Sequence, residues 1–132
     1  AYCFHGVEGF SAFGTYTGNG NANGPFLYTG FKPALVILKV YNYAVTTYTS
    51  WGLYDNTRPS GTNNPVHSPL WANLSDVEGN RGNGGGGGNS IFVDFLSNGF
   101  KIRSNHTENN SNLDGVIYSA FAELPFSYAR GR

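Results

Sequence analysis

Charge is what this sequence has least of. Asp, Glu, Lys and Arg make up only 12% of its 132 residues, and eight acids balance eight bases for a net charge of zero. A protein that grips nucleic acid displaces counterions with surplus Lys and Arg, and here there is no surplus. A neutral surface also sets no repulsion between copies, which suits a chain held inside an assembly. Cysteine is nearly missing: Cys3 stands alone, which excludes an internal disulfide framework and any cysteine-based zinc site. Flanked by Tyr2 and Phe4, it reads as a small buried residue rather than a reactive thiol. Met is absent altogether, in keeping with a fragment or a processed product. No apolar run reaches the roughly 18 residues of a spanning helix, no signal-peptide pattern is visible, and helical periodicity is all but lacking.

What the chain does have is aromatics, at 16%, and 19 glycines. Segments rich in Tyr, Phe, Val, Ile and Thr and broken by Gly, Asn and Pro predict strands over 1–4, 14–18, 25–29, 33–41, 46–55, 89–96, 99–104 and 115–123. Short strands at this spacing with no helices between them point to an all-β fold. The expected form is an antiparallel two-sheet β-sandwich, jelly-roll-like or Ig-like, in a single domain over 1–132. PALVILKV (33–40) is apolar on both faces and belongs in the middle of a sheet. DFL-SNG-FKIR reads as a hairpin, with Asn98 and Gly99 tolerating the positive φ of a tight turn. Alternation puts Val93 and Phe95 on one face and Asp94 on the other, where it meets Lys101 or Arg103 across the pair. The region 56–90 holds three of the six prolines and the glycine run. It is expected to be a long irregular connection with one helical turn at Asp76–Glu78.

The residues that usually carry chemistry do not form known patterns. RGNGGGGGNS (81–90) is not followed by Lys-Ser or Lys-Thr and opens no helix, so it reads as a flexible tip and not a phosphate loop. His5, His67 and His106 lie at no metal-ligand spacing. No G-x-S-x-G elbow occurs. Carboxylates for glycoside cleavage exist in Asp55, Asp76, Glu78, Asp94, Glu108 and Asp114, but nothing marks two of them as flanking a groove. Neither a cofactor nor a metal is expected, and no catalytic residue is assigned.

Sugar contact is a more open matter, because aromatic faces with Asn, Asp and Arg are what hold glycans. Trp71 lies near Asn73 and Asp76, and Tyr54, Asp55 and Arg58 lead from a strand into a loop. These six are the candidate glycan-contact residues. Each also has a plain structural reading: Trp71 plugs the end of the sandwich, and Asp55 with Asn56 builds a turn on its own backbone.

The two ends of the chain look alike. AYCFHGVEGFS (1–11) overlays YSAFAELPFSY (118–128) with Phe4 on Phe121, Cys3 on Ala120 and Val7 on Leu124. The overlay is short enough to arise by chance; the other reading is a module from a longer polypeptide in which such units follow one another. GTYTGNG (14–20), GPFLYTGFKPALVILK (24–39), YDNTR (54–58), NPV (64–66), WANLSDVEG (71–79), DFLSNGFKIR (94–103) and IYSAFAELPFSYAR (117–130) carry a wider likeness. Through them the chain resembles a β-rich domain that recurs in virion and tail-fibre proteins of marine tailed bacteriophages, particularly those of cyanobacteria and pelagic bacteria. VYNYAVTTYTSW and the Gly run of 84–88 depart from that pattern. The resemblance implies a non-enzymatic structural or adhesion module on the virion surface. Its expected partners are other copies or other virion proteins, and a host-surface glycan for a receptor-binding tip. A capsid decoration protein is the alternative, and a glycoside-acting domain a more distant one. Strand addition by a terminal strand, 1–4 or 115–123, is the expected mode of assembly.

Overall fold

The computed structural model describes residues 1, 3–43, 49–58, 64–78 and 92–124. They form an all-β fold of two antiparallel sheets. The strands are β1 (Ser11–Thr17), β2 (Phe26–Tyr28), β3 (Pro33–Val40), β4 (Gly52–Asp55), β5 (Leu70–Trp71), β6 (Val93–Leu96), β7 (Gly99–Ile102) and β8 (Gly115–Ala122). The larger sheet runs β1-β8-β3-β4-β5 and the smaller β2-β7-β6. As its two-sided apolar pattern requires, β3 is the central strand of the larger sheet, flanked by β8 and β4.

Register explains which residues face inward. Directly opposed residues in an antiparallel pair share a face. Ala12, Ala120, Val36 and Tyr54 therefore form one inner row, and Gly14, Tyr118, Leu38, Gly52 and Trp71 the next. Val36, Leu38, Tyr54, Trp71 and Ala120 are buried and join one core with Val93, Phe95, Phe100 and Ile102 of the smaller sheet. Fully burying such a side chain stabilises by about 1.5–3 kcal/mol. Phe100 also meets Tyr118 of the facing sheet edge to face, with centroids 5.4 Å apart.

The hairpin of β6 and β7 is where it was expected, but its turn is different. Leu96 pairs with Gly99, so the two-residue loop is Ser97-Asn98. Neither Asn98 nor Gly99 has positive φ. Gly99 is needed for space: a Cβ there would stand 2.1 Å from the carbonyl oxygen of Leu27 on β2. Asp94 pairs with Arg103 at 3.3 Å, which gives the outer face of this small sheet a charged, wet character. The outer edge of β6 is closed by the NPV segment. The Asn64 side chain both donates to the carbonyl of Phe95 and accepts from its N–H, each at 2.8 Å, and Val66 bridges to Val93.

Several expectations are corrected. Residues 3–6 form no strand: the chain turns back at Val7, whose N–H and C=O both pair with Ser11. Cys3 consequently lies outside the sheets and is exposed. β8 is hydrogen-bonded on both sides, to β1 and β3, so it has no open edge to lend a neighbour. No helical turn forms at Asp76–Glu78 among the described residues. The short helix is α1 (Thr107–Asn110), in a wholly polar stretch, with Glu108, Asn109 and Asn110 buried. The glycine run of 84–88 and the predicted strand residues 46–48 and 89–91 lie outside the described residues, as does the part of the terminal overlay beyond Leu124.

Candidate functional site

The six glycan-contact candidates occupy one end of the larger sheet but play unequal parts. Tyr54 and Trp71, alternating with partly exposed neighbours on β4 and β5, point inward and are 1% and 6% exposed. Their ring faces are taken up by the core. Burial pushes the Tyr54 phenol well above its usual pKa of 10.0, with Tyr16 and Glu108 acting the same way. Asp55 organises the turn after β4. Its carboxylate accepts from the N–H groups of Thr57 and Arg58 at 3.0 and 3.1 Å and from Arg58 Nε at 2.5 Å. Burial raises its pKa somewhat, but the Arg58 hydrogen bond, the two backbone donors and the guanidinium charge outweigh that and hold it below 3.8. Arg58 also reaches Glu78 at 3.1 Å. Asn73 accepts from the N–H of Trp51 at 2.9 Å, and Asp76 is exposed. The set thus contains a structural turn, two core aromatics and two surface polar groups.

Sequence reasoning passed over Trp51, which is 38% exposed. Lys39 Nζ sits 5.8 Å from the centre of its ring and also donates to the carbonyl of Thr49. The signal was available: Trp51 precedes Gly52, whose inward position on β4 turns its predecessor outward.

Trp51 belongs to a larger feature, the outer face of the five-stranded sheet. The register places Phe13, Ser119, Ile37, Leu53 and Leu70 in one continuous outer row. A second row holds Ser11, Phe121, Leu35 and Asp55, and a third Thr15, Ile117 and Lys39. Leu35, Ile37, Leu53, Ile117 and Phe121 are only partly buried, and Leu70 is 45% exposed. Phe4 is laid over the Phe13 corner, rings 5.4 Å apart. Among the described residues no second sheet covers this face; the smaller sheet lies against the opposite one. Among the described residues the apolar two-sidedness of β3 is therefore satisfied by a second sheet on one side only.

Its charges are few and locally matched. Lys32 pairs with Glu123 at 2.8 Å, Asp55 with Arg58, and Lys39 rests over Trp51. Next to it, β1 ends the sheet. All seven of its residues are uncharged, and among the described residues only its start is shielded, by the Val7–Ser11 bridge. Edge strands of monomeric proteins are ordinarily blunted by charge or Pro. Among the described residues no group of three or more His, Cys, Asp or Glu is placed to hold a metal ion, and no helix is long and apolar enough to cross a membrane.

Comparison with known proteins places this chain in a family. Residues 1–125 match the model of a domain of unknown function, DUF7483, and the chain belongs to that family. No curated protein and no solved structure matches it.

Proposed function

We propose that this domain is a non-enzymatic structural and adhesion module of a bacteriophage virion, a tail fibre or surface appendage, which joins its neighbours through the five-stranded sheet. The observation that carries the assembly role is the outer face of that sheet, apolar across all five strands and uncovered among the described residues. Contiguous apolar surface of this extent marks an interaction site in soluble proteins. The uncharged β1 edge beside it and the zero net charge support the same role. The virion setting is supported by the resemblance of the sequence to phage virion and tail-fibre domains.

Within this role, the inward setting of Tyr54 and Trp71 favours a shaft or capsid-decoration part over a sugar-binding tip, because a glycan needs an open ring face. The test is made on purified particles. The chain is expected among their proteins by mass spectrometry, with Ile37 and Leu53 protected from hydroxyl-radical labelling in the particle and labelled in the isolated chain. Absence from particles would overturn the virion setting, and equal labelling in both states would overturn the assembly role.

A further inference from the structure

We infer that the occupant of the outer face of the five-stranded sheet is a second copy of this same chain, packed face to face about a twofold axis running across the strands. This rests on the assembly role proposed above and names its partner.

The face is a sheet surface and not a cleft. Small ligands are held by burying most of their area in a concavity, so a surface built from the middles of strands suits another broad surface. Two sheets pack well when both carry the same twist, about 10 Å apart and some 30° off alignment. A copy of the same sheet has that twist by construction.

Area agrees with a dimer at the modest end. Five strands about 4.8 Å apart, with the three outer rows spread over some 13 Å of strand plus side-chain width, present on the order of 500–600 Å² per copy. Two copies then bury about 1,000–1,200 Å², the lower limit for a specific interface. The contact should be weak in dilute solution and reinforced where many copies are held together.

Charge selects both the partner and the axis. A strongly charged partner has little to pair with here, since Lys39 and Asp55 are the charged residues of the three outer rows. A copy of the face buries apolar side chains against apolar side chains and leaves no new ion unpaired. Lys39 stands in the row of Ile117, and Asp55 in the row of Leu35 and Phe121, at opposite ends of the face. A twofold axis along the strands would set Lys39 against Lys39. An axis across them lays each Lys39 row over the partner's Asp55 row, which is the complementary arrangement.

The full chain is to be examined by sedimentation equilibrium from about 5 to about 500 μM, a range that spans a weak dimer's dissociation constant. A monomer–dimer equilibrium is expected. Ile37→Lys, at the centre of the face, and Leu70→Lys, at its exposed end, should each weaken it at least about tenfold by burying an unpaired charge. The second variant guards against loss of fold in the first. Tyr28→Lys, on the outer face of the smaller sheet and 68% exposed, should leave it unchanged. Lys39→Glu should weaken it about three- to tenfold through repulsion from the partner's acidic row, and tightening would overturn the axis. A monomer throughout, or a dimer indifferent to both face variants, overturns the second-copy occupant. Protection of Ile37 and Leu53 in particles alongside a monomeric isolated chain would keep the assembly role and assign the face to a different virion protein.

Discussion

The ring of Phe4 lies stacked on that of Phe13 with centroids 5.4 Å apart and planes inclined by 27°. Phe121, the residue that the terminal overlay sets on Phe4, meets the same Phe13 ring edge-on at 5.8 Å. The two ends of the chain thus converge on one corner of the larger sheet, where β1 is its edge. Removing residues 1–10 takes away both the stack and the Val7–Ser11 bridge, and bares the start of an uncharged edge strand. The truncated chain is expected to associate into larger species or lose solubility, as followed by light scattering at concentrations where the full chain stays in solution. Thr15→Lys, exposed on β1, should suppress that association by charging the edge. A soluble truncated chain of unchanged size would count against edge control by the N-terminal segment.

Gly99 is demanded by proximity. An added Cβ would stand 2.1 Å from Leu27 O, a backbone atom held in the β2–β7 pairing. Gly99→Ala should therefore destabilise by about 1–3 kcal/mol, the usual range for forced overpacking, as read from denaturant unfolding. A neutral outcome would mean that β2 yields more easily than its pairing implies.

Tyr16 spans the sandwich with a single polar atom. Its hydroxyl donates to the carbonyl of Asn109 at 2.5 Å, in a fully buried setting. Ser104 donates to Asn109 Oδ1 at 2.7 Å, Asn110 Nδ2 donates to Ser104 O at 2.7 Å, and Glu108 accepts from Ser50 N–H at 3.0 Å. Tyr16→Phe keeps the ring and strands a buried carbonyl, so about 1–3 kcal/mol should be lost. Dimer affinity should not move, because Tyr16 lies on the inner face.

Asp55 sets an acid limb. Its pKa in the folded chain lies below the ordinary 3.8. The stabilisation from its hydrogen bonds is then complete above about pH 4–5 and is lost as pH falls through the folded value. Asp55→Asn should lower stability by about 1 kcal/mol at neutral pH and narrow the gap from wild type below pH 4. Thermal unfolding followed from pH 7 to pH 2 checks both the size and the sign.

The two tryptophans separate fold from surface. Trp71 is 6% exposed and stands against Gly52, whose missing side chain leaves it room. Trp71→Ala should cost about 3–5 kcal/mol through the cavity it leaves, and any ligand lost with it would report unfolding. Trp51→Ala should stay folded, with a change within about 1 kcal/mol. A glycan-array signal abolished by Trp51→Ala in a folded chain would therefore restore the sugar-binding tip.

Much of the architecture was legible because strand signals are local. The alternation in VDFL and FKI, the largely apolar run of PALVILKV and the Ser-Asn-Gly punctuation locate β3, β6 and β7, with the bounds of β3 and β7 within two residues and the end of β6 at Leu96 as expected. The same logic failed at His106–Asn110. Nothing there is apolar, so pattern reading made it a loop; yet His106 Nδ1 accepts from the N–H of Glu108 and caps a helical turn whose residues are buried. Hydrogen bonds to Tyr16, Ser50 and Ser104 make that burial tolerable, and the first two of those partners come from distant parts of the chain. Tyr54 and Trp71 show the complementary limit: aromatic residues at the end of a strand and in an expected loop looked available for a ligand, and strand parity turned them inward.

From composition and pattern alone came the β class, the neutral and uncharged character, and the central place of a strand apolar on both sides. These follow from period-two alternation and from charge arithmetic, which need no neighbours. Which of the two faces of the larger sheet would be covered, which edge would stay open and which polar side chains would be interred were decided only when the smaller sheet packed on one side. Pairing partners and buried hydrogen bonds join residues tens of positions apart, and no local stretch of sequence encodes them.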